Sequence, residues 1–288
     1  MNDKSLESKH ARAPQTDEVL RRVGRNVVNF QEVESLLKHL NAHSSIHAPA
    51  SQILAQMQKQ EATVHRVTMG ELANRLVPKL QTRDDHEVPE EIDEPWLGFT
   101  FSVEMDAEFI DLHDQEMAAL VNSRNDLVHH FLPRWIAAAK GDTESALAYL
   151  DAQMEETFRM RDRLRAWVDA MNESRRQAAV YLTSPDGVRE AMLSLLKSSR
   201  LVAILGEIAL CKARADGWTY LTTADHLIRK MVPTELTDLQ ERFGVHNLKG
   251  VLLAVEYFEV LEEALSNGGT RTLYRISDRY ELKLPLSS

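Results

Sequence analysis

Residues 257–276, YFEVLEEALSNGGTRTLYRI, decide the fold of the C-terminal part of this chain. Apolar and polar residues alternate over 257–261 and again over 272–276, as they do in strands that bury one face. The SNGG sequence at 266–269 is a strong turn signal, because asparagine and glycine tolerate the positive φ angles of tight hairpins. The pattern therefore predicts a β-hairpin in a chain that is otherwise mainly helical.

Three short helices are expected ahead of this hairpin, after a helical region of one or two helices over about 187–215. The first opens with TTAD at 222–225, which has the pattern of a capping box, and stops at Pro233. The second and third are expected over 235–243 and 247–256. Three short helices followed by a hairpin predict a winged helix-turn-helix domain, here over 186–288.

Ahead of the boundary sequence TSPDG at 183–187, the pattern is helical throughout. Apolar residues recur at three- and four-residue spacing, which predicts amphipathic helices over 19–40, 51–80, 103–131 and 144–180. No convincing strand pattern occurs here. The predicted fold class is therefore mainly α: an N-terminal bundle of four or five helices over 19–182, plus the C-terminal winged helix-turn-helix.

Pro133 is expected to end or kink the third helix and to bias Leu132 out of the α region, since proline lacks the N–H that a helix needs. The piece that follows, 134–140, closes at Gly141. Asp142 or Thr143 is expected to cap the last helix of the bundle.

The chain carries 34 Lys and Arg against 44 Asp and Glu, a net charge of −10. Ten of the acids lie in 84–108, where there is no Lys or Arg, and they overlap a proline-containing loop predicted over 81–98. The remainder of the N-terminal part is near neutral, so the global charge neither supports nor excludes RNA. This loop is predicted to be solvated or autoinhibitory, and shielding of a site as an RNA mimic is a hypothesis.

Composition favours a cytoplasmic protein without a membrane span. The single Cys211 excludes an internal disulfide and a cysteine-based zinc site. No run of about eighteen apolar residues exists, and residues 1–18 are polar and expected to form a disordered tail. His39, His43 and His47 are spaced four apart and could bind zinc, but a solvated polar face is the preferred interpretation. Neither a metal nor a cofactor is expected.

The string RNDLVHH at 124–130 concentrates groups that can carry chemistry. Arg124 can neutralise a phosphate, and the imidazoles of His129 and His130 can move protons near neutral pH. On a regular helix, residues five apart differ by about 140°, so Arg124 and His129 cannot lie on one stripe. Asn125 is four residues before His129 and shares its face, so it could orient that imidazole.

Asp126 lies four residues before His130 and is ambiguous. It could fix a tautomer of His130 or cap local backbone groups. The alternative for the whole string is structural: both histidines would be partly buried at a helix end, and Arg124 would pair with a surface acid.

The string, at the end of a long amphipathic helix in an all-helical domain, resembles the signature of the HEPN superfamily: Arg, a polar residue, then further residues to His. Asn125 fills the polar position, and the resemblance covers about 20–180. It implies a dimer with a composite site that cleaves RNA without a metal. His129 would take the ribose 2′-OH proton, and Arg124 would stabilise the phosphoryl charge. His130 or a second subunit's imidazole would protonate the leaving oxygen, giving a 2′,3′-cyclic phosphate.

The C-terminal part resembles the LOTUS (OST-HTH) domain over about 188–280. The resemblance is carried by the hairpin and by GWTYL at 217–221, RKMVP at 229–233, RFG at 242–244 and LKGVL at 248–252. It implies RNA binding for many bacterial members, and helicase or protein docking for some eukaryotic ones. The candidate phosphate contacts are Arg229, Lys230, Arg242, Lys249, Arg271 and Arg275.

Four side chains of this domain receive a more specific prediction. Arg271 and Arg275 are four apart in a strand and are expected on one face. Trp218, like Tyr220, could stack on a base, but core packing is the preferred interpretation.

Three functions remain open from the sequence. The first is a dimeric ribonuclease whose LOTUS-like domain delivers single-stranded or structured RNA. The second is a non-catalytic adaptor for RNA or protein, in which the bundle only dimerises. The third is a toxin-antitoxin component with an antitoxin-like partner. A DNA-binding regulator is also compatible with a winged helix, but no strongly basic recognition helix is present.

Overall fold

The computed structural model describes residues 14–81, 95–137, 143–237, 239–266 and 268–278. Two compact units are formed, the first mainly from residues up to Arg176 and the second mainly from Gln177 onwards. The division lies inside a long helix, slightly ahead of the predicted boundary at 183–187. The mainly α fold class is confirmed.

The first unit is a helical bundle with a small two-stranded sheet. Its helices are α1 (Pro14–His43), α2 (Ile53–His65), α3 (Met69–Gln81), α4 (Ala107–Asp126), α5 (Leu132–Ala137) and α6 (Thr143–Thr183), the last continuing past Arg176. Residues 14–18, predicted to belong to a disordered tail, are part of α1, and the predicted continuous helix over 51–80 is interrupted between α2 and α3. Residues 1–13, most of the predicted acidic loop (82–94), and Gly141 with Asp142 lie outside the described residues.

The prediction that this unit has no strand is wrong. Strands β1 (Ser45–Pro49) and β2 (Trp96–Thr100) pair with each other, and only β1 alternates in burial along its length. Gly98 is required in β2, because a Cβ atom there would lie 2.7 Å from Nδ1 of His47 in β1.

The core of the bundle is built from leucines on α1, α3 and α6. Fully buried side chains include Leu37, Leu40, Leu72, Leu76, Leu80, Leu150, Leu164 and Met171. Each such side chain contributes about 1.5–3 kcal/mol through its removal from water. Met117 and Leu120 of α4 belong to the same core, which therefore holds α4 and α6 in place on either side of the polar groups described below.

Helix α4 does not stop before Pro133 but passes through one π-helical turn, Leu127–Phe131, into α5. Leu132 keeps helical angles (φ −64°, ψ −47°), so the predicted bias out of the α region is wrong. Pro133 offers no N–H to the carbonyl of His129, and in a regular helix its ring would clash with that carbonyl. A π turn bonds residue i to i+5 and is wider, which relieves this conflict without breaking the helix.

The second unit contains α7 (Pro185–Lys197), α8 (Arg200–Cys211), β3 (Thr219–Tyr220), α9 (Leu221–Met231), a 3₁₀ turn (Pro233–Leu236), α10 (Leu239–Phe243), α11 (Leu248–Val255), β4 (Phe258–Ala264) and β5 (Thr270–Ile276). The predicted hairpin is confirmed: β4 and β5 are antiparallel, and Gly268 has φ +83° in the turn. Strand β3 adds to β5, so the sheet order is β3-β5-β4.

Three details differ from the sequence predictions. The TSPDG segment is a tight helix junction, in which Ser184 caps α7 by accepting a hydrogen bond from the Gly187 N–H at 3.1 Å. Helix α9 begins at Leu221 without a side-chain cap, so the predicted capping box is wrong. The helix predicted over 235–243 is divided into the 3₁₀ turn and α10.

The helices of this unit share a separate core with the inner face of the sheet. Tyr274 of β5 is fully buried there, and its hydroxyl donates to the carbonyl of Leu205 at 3.0 Å. The assignment to the winged helix-turn-helix class stays a prediction. Within the described parts of the chain, no helix combines the length and apolar character needed to cross a membrane.

Candidate active site at the π-helical turn

The RNDLVHH string lies where α4 passes into the π turn. Arg124 is in the last turn of α4, and His129 and His130 are both exposed in the π turn. The two imidazole centroids are 6.2 Å apart, with the rings edge to face. The alternative in which these histidines are partly buried is therefore wrong. The π turn also changes the predicted spacing, because residues five apart come closer to one face than in a regular helix.

Arg124 is a cation of this site that has no acidic partner among the described residues. Its guanidinium makes no ion pair with any described residue, and its one described hydrogen bond is donated to Oδ1 of Asn125 at 3.1 Å. Asn125 therefore contacts Arg124, and the described contacts include no bond from it to His129. The alternative in which Arg124 pairs with a surface acid is wrong for the described residues.

Neither predicted role of Asp126 is seen among the described contacts: its side chain makes no cap to a backbone N–H and no hydrogen bond to His130, whose charge acts on it only through space. Arg134 donates to both carboxylate oxygens, at 3.1 and 2.9 Å, and the Tyr149 hydroxyl donates to Oδ2 at 2.8 Å. The Arg134 hydrogen bonds hold the pKa of Asp126 below its usual value, and Tyr149 adds to this. Burial, followed by the bond to Asp126, raises the pKa of Tyr149 to about 12.

A buried polar ladder connects this group to the bundle. Gln153 of α6 donates to the carbonyl of Ser123 at 3.1 Å and to its hydroxyl at 2.9 Å. Its Oε1 accepts from Asn26 of α1 at 2.9 Å, and Asn26 also donates to the carbonyl of Leu150 at 2.7 Å. Asn26 and Gln153 are 0% and 2% exposed, so each needs these partners.

Sequence reasoning missed Arg134, Tyr149, Gln153 and Asn26. One signal was available: Asn26 interrupts the apolar stripe of α1 at a core position, three residues after Val23 and four before Phe30. The buried face of α6 also contains two polar side chains, Gln153 and Thr157.

The three evenly spaced histidines do not form a solvated face. His39 and His43 are packed in the bundle with ring centroids 4.6 Å apart, and His43 is 8% exposed. Burial lowers the pKa of both, with Arg175 the next cause for His39 and His39 the next cause for His43. His47 lies in β1 and shares a hydrogen bond with Thr100 at 3.0 Å. The described residues contain no group of three side chains able to hold a metal.

An open groove of about 550 Å³ lies between α3 and α4. It is lined by Gly70, Ala73, Asn74, Val77, Pro78, Gln81, Ile110, Asp114, Met117, Ala118, Val121 and Asn122. Neither Arg124 nor His129 is among them. The candidate active site is thus an exposed surface of the first unit.

The candidate RNA contacts of the second unit are mostly neutralised. Arg229 pairs with Asp225 at 2.8 Å, Arg242 with Glu235 at 3.6 Å, Lys249 with Glu262 at 2.8 Å, Arg275 with Glu259 at 2.6 Å, and Arg271 with Glu263. Lys230 is exposed and has no ionic partner among the described residues. Of the six candidates, it is the one whose charge is not already matched by an acid.

The prediction that Trp218 and Tyr220 pack in the core is wrong. Strand β3 points Thr219 into the core, where its hydroxyl donates to the carbonyl of Ala209 at 3.3 Å, and leaves both aromatic rings half-buried on the outer face. The guanidinium of Arg275 lies over the Trp218 ring and that of Arg271 over the Tyr220 ring, each at 4.7 Å. The two arginines thus share a face, as predicted, and with both rings and their paired glutamates they form what we call the outer layer of the sheet.

These observations define a mainly α protein of two units with an exposed arginine–histidine turn. Comparison with models of protein families, with curated proteins and with solved structures finds no match to this chain. The resemblance to HEPN and LOTUS domains therefore stays a prediction.

Proposed function

We propose that this protein is a metal-independent endoribonuclease whose active site is the π-helical turn. The observation that carries the proposal is that Arg124, which has no acidic partner among the described residues, is followed along the same continuous helix by two exposed imidazoles, while the carboxylate of Asp126 is occupied by Arg134 and Tyr149. An unpaired guanidinium can accept a phosphate without first losing a carboxylate. Accessible imidazoles provide the proton transfers.

The reaction requires an attacking group, a charge stabiliser and a leaving-group acid. His129 removes the proton from a ribose 2′-OH, whose oxygen bonds to the adjacent phosphorus. Arg124 stabilises the charge on the phosphoryl oxygens. As the bond to the 5′-oxygen breaks, His130 or an imidazole of a second subunit protonates that oxygen. The products are a 2′,3′-cyclic phosphate and a 5′-hydroxyl.

A second copy of the chain is the partner we propose for the bundle, as the HEPN resemblance implies. Apolar side chains at four-residue spacing flank the histidines: Val128 is 48% exposed, Leu132 38% and Ile136 61%. Large apolar side chains grouped on a surface favour an interface. Dimerisation there would bring two arginine–histidine turns together and exclude water from them.

The second unit is proposed to bind single-stranded or structured RNA. Lys230, which has no ionic partner in the described parts of the chain, offers a charge for a phosphate, whereas the paired arginines must exchange a carboxylate for one. A cytoplasmic location and regulation by an antitoxin-like partner complete the proposal, and both rest on the family resemblance and composition.

The test is cleavage of end-labelled single-stranded and structured RNAs in EDTA. Wild type should produce cyclic-phosphate ends, and His129→Ala and Arg124→Ala should each reduce the rate by about 10²–10⁴-fold. Arg75→Ala is the matched control, because Arg75 is an exposed α3 residue paired with Glu71 away from the turn. Equal cleavage by all four proteins would mean that another site, or a contaminant, performs the reaction.

A non-catalytic adaptor is the second candidate, and the outer layer of the sheet favours it. That layer combines tryptophan, tyrosine and arginine, the residue types enriched at the centres of protein interfaces, and its ion pairs leave little net charge for RNA. RNA or protein binding that is equal in wild type and His129→Ala, with no cleavage by either, would support this function.

A further inference from the structure

The contact between Asp126 and Arg134 spans the whole π turn. Asp126 is the last residue of α4, and Arg134 is in α5, just beyond the segment Leu127–Phe131. In a regular helix these positions would be separated by about 12 Å along the axis, so a long side chain must reach back to close the contact. The bidentate hydrogen bond fixes both the distance and the angle between the two side chains, because a guanidinium and a carboxylate bind in one plane.

Tyr149 attaches this contact to the bundle. Its hydroxyl donates to Asp126 and also lies 3.4 Å from Nε2 of Gln153, which is bonded in turn to Ser123. Its ring stacks on Phe131, the buried residue at the end of the π turn, with centroids 5.6 Å apart. One residue of α6 therefore holds the turn at both of its ends.

The turn needs such support. The described part of α5 covers six residues, and Pro133 prevents a regular helix from forming across the junction. His129 and His130 point to solvent and make no described hydrogen bond that would orient them. Their positions therefore depend on the backbone of the turn.

We propose that Asp126, Arg134 and Tyr149 are positioning residues that hold the π turn and thereby place the imidazoles of His129 and His130. This role takes the place of the two that the sequence left open for Asp126, fixing a tautomer of His130 or capping backbone groups, and adds two residues that the motif does not contain. Its consequence for the reaction rests on the proposed function, whereas its consequence for the turn does not. Because Arg134 is 60% exposed, its pair with Asp126 adds little to global stability, and its main effect is geometric.

The experiment compares Arg134→Gln with wild type in the full chain. Backbone amide shifts of 127–131 and the ring signals of His129 and His130 are followed by NMR, and kcat and KM are measured with a short RNA. We expect the turn and ring signals to move, and kcat to fall by about ten- to a hundredfold while KM stays within about twofold. Arg134→Lys, which keeps the charge but not the planar fork, should recover part of kcat.

Matched controls separate positioning from a general loss of structure. Arg75→Gln removes another exposed ion pair of the same unit and should leave the turn signals and kcat unchanged. Tyr149→Phe keeps the ring stacked on Phe131 and removes one hydrogen bond to Asp126, so kcat should fall by about threefold.

The possible results are distinguishable. Unchanged amide and ring signals in Arg134→Gln would overturn the proposal, whether or not the protein cleaves RNA. Moved signals with an unchanged kcat would overturn the link to catalysis. Moved signals in Arg134→Gln, together with a wild-type protein that cleaves nothing, would refute the ribonuclease proposal and support the role of the three residues in holding the turn.

Discussion

The π turn of the first unit and the outer layer of the sheet in the second both present arginines, but in opposite electrostatic states. Among the described residues Arg124 bonds only to an amide, whereas Arg271 and Arg275 are each paired with a glutamate and lie over an aromatic ring. An anion can bind at the turn directly but must displace a carboxylate at the sheet. The comparison teaches that an arginine indicates phosphate binding only when its acidic neighbours are known.

The largest effect on RNA cleavage is expected when Arg124 at the π turn is given an acidic partner, as the arginines of the sheet already have. Asn125→Asp places a carboxylate at the position that accepts from Arg124, so the guanidinium becomes paired, and we expect RNA cleavage to fall by about a hundredfold. Single-turnover cleavage in EDTA measures this.

Asn122→Asp is the control for added charge. Asn122 lines the groove between α3 and α4, on the same helix but away from the Arg124 contact. A similar loss in both variants would mean that net charge, and not the pairing of Arg124, controls the rate.

The reverse change at the sheet should have a smaller effect. Glu259→Gln combined with Glu263→Gln removes both acids opposite Arg275 and Arg271 and leaves the arginines free. We expect RNA affinity to rise by about tenfold at low salt, with a steeper salt dependence, because two cations become available. Binding is measured in a His129→Ala background, which prevents cleavage. Unchanged affinity would show that RNA does not reach the outer layer.

The buried histidines of the first unit predict a dependence of stability on pH. Burial lowers the pKa of His39 and His43, so the folded protein keeps them neutral where the unfolded chain would protonate them. The unfolded state therefore binds more protons below about pH 6.5, and the free energy of unfolding should fall as the pH is lowered from there. Glu61, 3.2 Å from His43, opposes this trend, and Arg175 reinforces it.

Urea unfolding between about pH 5 and 7 measures the dependence, since that range brackets the ordinary histidine pKa. The double variant His39→Gln with His43→Gln carries no titrating group at these positions, so its stability should vary less with pH. An equal slope in both proteins would assign the effect to other residues.

The larger elements were predictable from the sequence because periodicity reports burial directly. The hairpin was found from its alternation and its SNGG turn, and the helices from three- and four-residue spacing. The π turn was not predictable. A proline at position 133 disfavours a regular helix there, but it does not determine whether the helix ends, kinks or widens into a π turn. The strands β1 and β2 were missed because their pairing joins residues far apart in sequence.

At the candidate site, the motif residues could be named from the sequence but their partners could not. Helical spacing offered His130 or the local backbone as the partner of Asp126, whereas its hydrogen-bond partners come from α5 and α6. The tertiary contacts of a side chain depend on the packing of helices, which local spacing does not determine. The same limit explains why the position of Trp218 was predicted wrongly. A shift of one residue in the register of β3, which follows it directly, would place its side chain on the opposite face of the sheet.

The smallest expected difference concerns two neighbouring cations of α9. Lys230 has no ionic partner among the described residues, whereas Arg229 is bonded to Asp225 at 2.8 Å. If RNA phosphates contact this helix, Lys230→Ala should weaken binding about threefold and reduce the slope of log affinity against log salt by about one. Arg229→Ala should change both less, because the removed cation was already neutralised. Equal effects would mean that the bound RNA displaces Asp225, and that ion pairs seen without RNA do not mark a surface as unavailable to it.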